Sequence, residues 1–407
     1  MNKEGWQIKT LGDIADVKGG KRVPKGYKLQ SVPTKYPYIT VSDFTDEGTI
    51  DTSDLRYVSR EVFEQIKRYT ISSNDLYLSI AGTIGKTGYV PIELDGASLT
   101  ENACKLVLRP GIDRNFVYYF TKSDGFTTQA GTNTRTAAQP KLALERLKTI
   151  KLPIPLSFPE QQRIVGVLDE AFAGLATAQA NAEKNLQNAR ALFESHLQSV
   201  FTQRGKSWVA IQLADVCERL HQGLNTAGEK VKFYDSGYPI IQTRNIDDGV
   251  IELDSKMKFM CEEDWQLFRD KYRPEVGDVF FTNIGTIGKT AIVTVDLNYL
   301  IHWNIFKLRP RLEKITSEFL RYTLEQLTLS GYFEKLQKGG TVDFVTKKMI
   351  SEALIYRPST AEQKRIVATL DSLREETQRL EFLYQHKLAA LATLKKSLLH
   401  QAFTGNL

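Results

Sequence analysis

Two textures of apolar and polar positions alternate along the chain. Up to about residue 155, short β-branched and aromatic runs (YPYITVSDF, DLYLSIAGTIG, KLVLRP) are separated by Gly, Asn and Asp turns, with helix-like segments around 59–68 and 114–123. Residues 206–357 repeat this pattern with YPIIQTRNI, DVFFTNIGTIG and FKLRP, and helix-like segments around 262–269 and 317–329. Such a mixture predicts α+β globular domains. In 156–205 and 358–407, Gly and Pro almost vanish and Ala, Leu, Gln, Glu and Lys take over, which is the composition of long helices. Apolar positions there alternate three and four apart: Ile164, Leu168, Ala171, Leu175, Ala178 and Ala182, then Ile366, Leu370, Leu373, Thr377, Leu380 and Tyr384. A period near 3.5 makes a narrow stripe that wants one partner helix. Ser157-x-x-Glu160 and Ser359-x-x-Glu362 have capping-box spacing at the starts of these helices.

The textures repeat because the sequence does. An offset of 202 residues brings Trp6 onto Trp208, Leu11 onto Leu213, Asn102 onto Asn304, Glu160-Gln161 onto Glu362-Gln363, Leu168-Asp169 onto Leu370-Asp371, and Phe201-Thr202 onto Phe403-Thr404. With a one-residue slip, GTIGKT at 82–87 falls on GTIGKT at 285–290. A helix of about 40 residues is ~60 Å long and would overhang a single domain. The two helices are therefore expected to pair, and a pseudo-twofold relation between duplicated units makes the pair antiparallel. The expected architecture is two globular domains, 1–155 and 206–357, separated by antiparallel helices 156–205 and 358–407. Because the domains diverge outside their shared positions, a twofold ligand such as duplex DNA would meet two different readers, an asymmetric bipartite target.

Composition narrows the classes. The 407 residues are 42% hydrophobic, enough for globular cores, and the net charge of +6 is compatible with a polyanionic partner. The opening MNKEGWQIKT has no signal-like apolar core and no window is apolar enough to span a bilayer, so a cytoplasmic protein is expected. Cys104, Cys217 and Cys261 are odd in number and far apart, which suggests neither a disulfide framework nor a zinc site. GTIGKT resembles the tail of a phosphate-binding loop, but such a loop needs glycine where Ile80 and Asn283 stand. A hairpin whose lysine faces DNA phosphate is the better expectation. No Pro-Pro exists for an amino-methyltransferase tetrad, and the five histidines are scattered, so no catalytic residues, metal or cofactor are expected.

The segments IPLSFPEQQRIVGVLDE (154–170), RPSTAEQKRIVATLDS (357–372) and KKSLLHQAFTGNL (395–407), with the openings Trp6/Leu11/Asp13 and Trp208/Leu213/Asp215, resemble the specificity subunits of type I restriction-modification systems. The first helix departs from that pattern by ending FTQRG (201–205). The resemblance covers the whole chain. It implies two target recognition domains, two spacer helices that set half-site separation, and assembly with methyltransferase and restriction (helicase-nuclease) subunits that carry the chemistry.

Positions identical in both copies cannot distinguish two half-sites, so base readers are sought where the copies differ. Thr40, Ser42 and Asp43 stand against Gln242, Arg244 and Asn245; Ile80 against Asn283; Glu101 against Trp303. Arginine pairs bidentately with guanine and Gln or Asn with adenine, which makes Arg244 the first choice. Lys21, Arg22, Lys25, Lys28 and Lys86, with Lys230, Lys232 and Lys289, are candidates for phosphate. Two other readings are a coiled-coil adaptor that binds protein and a nucleotide hydrolase using GTIGKT.

Overall fold

The computed structural model describes residues 4–132, 141–247, 249–253, 257–336 and 344–407. It divides into two compact units, Met1–Glu183 with His386–Leu407, and Lys184–Gln385. The unit boundaries fall inside the two long helices, Phe158–Thr202 and Thr360–Thr404, and not at the changes of sequence texture. The reason is packing: each helix half belongs to the core it touches.

In the first unit the opening strand Trp6–Thr10 pairs antiparallel with Lys151–Pro155, tying the domain's entry to its exit. A four-stranded antiparallel sheet runs in the order Ala15–Gly19, Ala103–Leu108, Leu76–Ser79, Thr87–Tyr89. A second sheet orders Arg56–Tyr57, Pro37–Ile39, Ala97–Leu99 and Thr70–Ile71, with its middle pair parallel. Side chains alternate across a strand, so Leu76 and Leu78 enter one core with Phe116 and Phe120, while Tyr77 enters another with Ile39 and Phe44. Burial on both faces explains the unbroken apolar run Leu76, Tyr77 and Leu78.

The second unit is built the same way. Val209–Gln212 pairs with Leu354–Arg357, and one sheet orders Cys217–Gln222, Ile305–Pro310, Val279–Thr282, Thr290–Ile292. Lys258–Met260, Tyr238–Ile241 and Leu300–Ile301 form the other, again with a parallel pair. Val279 and Phe281 face one core and Phe280 the other. The expected helix-like segments are Arg60–Ile66, Arg114–Thr121, Glu262–Tyr272 and Ser317–Leu329.

Both long helices contribute to each unit. In the first, Ile164, Val165 and Leu168 share a core with Leu399, Ala402 and Phe403, and the Phe403 ring lies 5.1 and 5.4 Å from Phe116 and Phe120. Arg163 Nη2 donates to Leu407 O at 2.8 Å, and Lys395 Nζ sits 5.4 Å over the Phe172 ring, so the segments run antiparallel. In the second unit Leu197, Phe201, Val367 and Leu370 share a core with Phe319; Arg190 pairs with Glu381 at 2.8 Å, and Arg374 lies 4.2 Å over Phe193. These segments are antiparallel too. The stripe positions Ala171, Leu175, Ile366, Leu373 and Leu380 are half-buried, while Ile164, Leu168 and Leu370 are fully buried, partly against the domains. A single partner helix does not account for that burial; the sheet-packed helix of each domain supplies the rest.

The helix starts are fastened by a residue that periodicity does not single out. Gln161 accepts from Asp113 N (2.8 Å) and donates to Gly111 O (3.2 Å) and Pro155 O (3.0 Å). Gln363 likewise accepts from Thr316 N (2.9 Å) and donates to Lys314 O (2.9 Å) and Pro358 O (3.0 Å). Both glutamines are buried. Asp113 and Thr316 are the N-caps of the helices Arg114–Thr121 and Ser317–Leu329, so the glutamine joins two helix starts. The capping box is modified: Ser359 Oγ accepts from Glu362 N at 3.3 Å, but the Glu362 carboxylate accepts from the Trp208 indole N–H at 3.2 Å. Asp169 and Asp371 accept from Tyr119 and Tyr322 hydroxyls.

Candidate nucleic-acid interface

In each domain four segments converge at one end of the sheets. Lys21 N donates to Leu99 O (2.8 Å), Gly20 N to Ala103 O (3.0 Å), Thr100 N to Ile39 O (3.0 Å) and Ile80 N to Asn102 O (2.8 Å). The second domain repeats every bond: Leu224 N to Ile301 O (2.8 Å), Gly223 N to Ile305 O (2.9 Å), His302 N to Ile241 O (2.9 Å) and Asn283 N to Asn304 O (3.1 Å). A Cβ on Gly20 would stand 2.0 Å from Thr100 O, and one on Gly223 2.3 Å from His302 O, so only glycine lets these loops close on the strand ends. The same backbone frame thus presents different side chains in the two copies.

The tips of this edge are short 3₁₀ turns, Val41–Asp43 and Thr243–Asn245. Asp43 Oδ2 accepts from Thr40 N (2.6 Å) and Thr40 Oγ1 (3.0 Å), and Asn245 Oδ1 accepts from Gln242 N (3.1 Å). Burial pushes the Asp43 carboxyl above its ordinary pKa, against the pull of the Thr40 bonds. Asp43 and Asn245 are therefore turned into the domain and close their turns. Asn283 is also inside, with Nδ2 3.4 Å from Val345 O, and Ile80 is buried at the equivalent place. These three polar candidates offer no edge to a base in this conformation, because their side chains are buried in the domain. Ser42 and Arg244 project from the turn tips into solvent, with Thr40 and Gln242 half-buried beside them.

GTIGKT is a hairpin loop between antiparallel strands in both domains. Gly82, Gly85, Gly285 and Gly288 take left-handed φ values of 76°, 95°, 78° and 91°. Ser79 Oγ and Thr282 Oγ1 accept from the Lys86 and Lys289 amides (2.8 and 3.0 Å), while the Gly85 and Gly288 amides bond Ser79 O and Thr282 O (both 3.0 Å). Those N–H groups are used internally and are not offered to a phosphate. The lysines turn back on their own domains: Lys86 Nζ lies 3.0 Å from Asp46 Oδ1 and Lys289 Nζ 2.8 Å from Asp247 Oδ1. The bond from Lys86 holds the Asp46 carboxyl below its ordinary pKa.

Lys21, Arg22, Lys25 and Lys28 are exposed on the loop that follows Gly20, where Lys21 Nζ stands 5.7 Å over the Tyr69 ring. Lys230 and Lys232 are exposed on the loop after Gly223. His302 bonds Asn304 Oδ1 (2.9 Å) and Thr226 Oγ1 (3.2 Å), and its burial lowers its pKa. Next to it Trp303 is exposed at the place of Glu101. Among the described residues no group of three or more His, Cys, Asp or Glu could hold a metal ion, and no helix is long and apolar enough to cross a membrane.

The geometry has close counterparts. The chain is 24% identical over 430 residues to the type I restriction enzyme EcoBI specificity subunit of Escherichia coli, covering 99% of this chain and 86% of that protein. It is 22% identical over 439 residues to the EcoKI specificity subunit of Escherichia coli strain K12, covering 99% and 89%. A solved structure described as the structural basis of complex assembly and conformational transition of the type I R-M system matches with a TM-score of 0.80 at 20% identity, over all of both chains. The HsdS subunit from Thermoanaerobacter tengcongensis matches with a TM-score of 0.60 at 20% identity, over 99% of this chain and 98% of that one. The sequence model of the type I restriction modification DNA specificity domain matches residues 3–186 and again residues 205–384. Since these two matches take in both copies of the repeat, the chain belongs to the type I restriction modification DNA specificity domain family and carries that domain twice.

Proposed function

We propose that this chain is the DNA-specificity subunit of a type I restriction-modification complex. It carries no catalysis of its own, reads an asymmetric bipartite site on double-stranded DNA, and recruits methyltransferase and restriction (helicase-nuclease) subunits in the cytoplasm. The observation that carries this reading is the edge built twice from the same backbone bonds, with Ser42 at one tip and Arg244 at the other. One frame with two different tips suits two different half-sites. Exposed Lys21, Lys25, Lys28, Lys230 and Lys232 suit phosphate, whereas Lys86 and Lys289 tie the hairpin to the turn-bearing loop.

Arg244 is the reader proposed for the second half-site. Arg244→Ala should relax one base position there by about 1–3 kcal/mol and leave the other half-site untouched. Selection from a randomised duplex library by the complex with its methyltransferase subunits measures this; a uniform loss across all sequences would make Arg244 a phosphate contact. The same assay at increasing salt should show log K falling linearly with log [salt], as counterions are displaced from phosphate. Salt-independent association, or binding only to protein, would favour the adaptor reading.

The helices are proposed to set the separation of the half-sites. Inserting four residues into each lengthens it by ~6 Å, close to two base-pair steps of ~3.4 Å. Matched insertions should lengthen the preferred spacer and leave both half-sites as they were; an unchanged spacer contradicts the ruler.

A further inference from the structure

We infer that Arg22 reads a guanine in the half-site of the first domain and that Glu101 is its positioning residue; this rests on the DNA-specificity reading above. The sequence alone groups Arg22 with the phosphate lysines, but its geometry differs from theirs. The loop leaves Gly20 pressed against the strand end, and Tyr38 Oη donates to Lys21 O at 2.8 Å, which pins the backbone just before Arg22. Arg22 Nε then donates to Glu101 Oε1 at 2.5 Å, and Glu101 Oε2 accepts from Thr100 Oγ1 at 3.1 Å. The Arg22 side chain is 77% exposed and that of Glu101 only 23%, so the acid is anchored and the guanidinium projects.

This pair, like Arg190–Glu381, is joined through Nε alone, and so leaves more of the guanidinium open than the two-bond pairs of the fold. In Arg163–Glu160, Arg309–Asp278 and Arg379–Glu376 the carboxylate takes both Nε and Nη2 of the guanidinium, using up one planar edge. Glu101 takes Nε alone, and both terminal amino groups of Arg22 face solvent. That is a planar fork fixed in direction with its two outer donors free, the geometry that matches guanine O6 and N7. A lysine can meet a phosphate as a point charge, whereas guanine O6 and N7 need two donors held in one plane, so a buttress that sets the direction of the fork serves base readout.

The second domain has dismantled the device. Asn225 replaces Arg22, with its Oδ1 taken by Gly228 N at 3.0 Å, and exposed Trp303 replaces Glu101. A guanine read through this position therefore belongs to the first half-site alone.

The test uses the full chain in complex with its methyltransferase subunits, on duplexes that vary every position of the bipartite site. The wild-type complex should prefer guanine at one first-half-site position by about 5- to 150-fold. Arg22→Ala should abolish that preference and spare all other positions. Arg22→Lys should not restore it, because it returns the charge without the fork. Glu101→Ala should weaken the preference at the same position, and the double variant should be no worse than Arg22→Ala, since residues acting as one unit are not additive. An equal loss on every sequence, rescued by Arg22→Lys, would identify a phosphate contact and overturn the inference while leaving the specificity reading intact. Unchanged discrimination in Arg22→Ala would overturn it as well. A wild-type complex with no base preference anywhere would bring down the specificity reading itself.

Discussion

Phe403→Ala is expected to destabilise the first unit by about 3–5 kcal/mol, the usual cost of a phenylalanine deleted from a packed core, although it stands almost at the end of the chain and far in sequence from the domain it supports. Its ring is 6% exposed and meets Phe116 and Phe120 edge-on at 5.1 and 5.4 Å, flanked by Leu399 and Ala402 in the same core. The repeat supplies the control. Phe201 holds the equivalent place in the second unit, 5.5 Å from Phe319. Hydrogen exchange on the full chain should therefore show faster exchange in Arg114–Thr121 for Phe403→Ala, and in Ser317–Leu329 for Phe201→Ala, each with the other helix unchanged. Equal effects on both helices, or none, would mean that the helix ends are not docked as described.

Gln363→Leu should be costly by a different route. The substitution keeps the volume and leaves Thr316 N and Pro358 O without the partner they have now, while Lys314 O keeps its bond from Arg357 Nη1. Each orphaned buried group costs about 1–3 kcal/mol, so a loss of roughly 2 kcal/mol or more is expected in the second unit, a fall of at least some 4–8 °C in its melting temperature. Gln161→Leu should do the same to the first unit through Asp113 N, Gly111 O and Pro155 O. Gln363→Glu keeps the acceptor for Thr316 N but sets a buried carboxylate oxygen against Lys314 O and Pro358 O, so it should melt no later than Gln363→Leu. Calorimetry of the full chain reads these shifts; a glutamine variant that melts like wild type would show that the bonds are not what holds the helix start.

The duplication and the mixed fold were legible because both leave periodic traces. Strand runs of two-residue alternation or continuous apolarity, and long helices without Gly or Pro, survive in sequence whatever they pack against. What they pack against is not legible. The stripe through Ile164 and Leu168 announces a covered face, but periodicity cannot say that part of the cover is Phe116 and Phe120 from the residues' own domain. Asp43 and Asn245 look like variable polar tips, yet each closes its turn from the third position. The spacing of Thr40 to Asp43 and Gln242 to Asn245 carried that capping signal, masked because the turns are only three residues long. Gln161 and Gln363 left no trace as buried residues, since a first-turn glutamine reads as polar surface until its backbone partners are placed. Arg22 and Glu101 are 79 residues apart, and only the closure of the Gly20 loop on the strand end brings them together.

Two unlike domains on one chain should read two unlike half-sites. Sequencing the methylated positions in the DNA of a host that expresses this chain with its methyltransferase tests it most directly. The expected result is a single interrupted motif that depends on this chain, with two different defined halves around a fixed unspecific spacer. A palindromic or uninterrupted motif, or a methylation pattern that does not change when the chain is deleted, would contradict it.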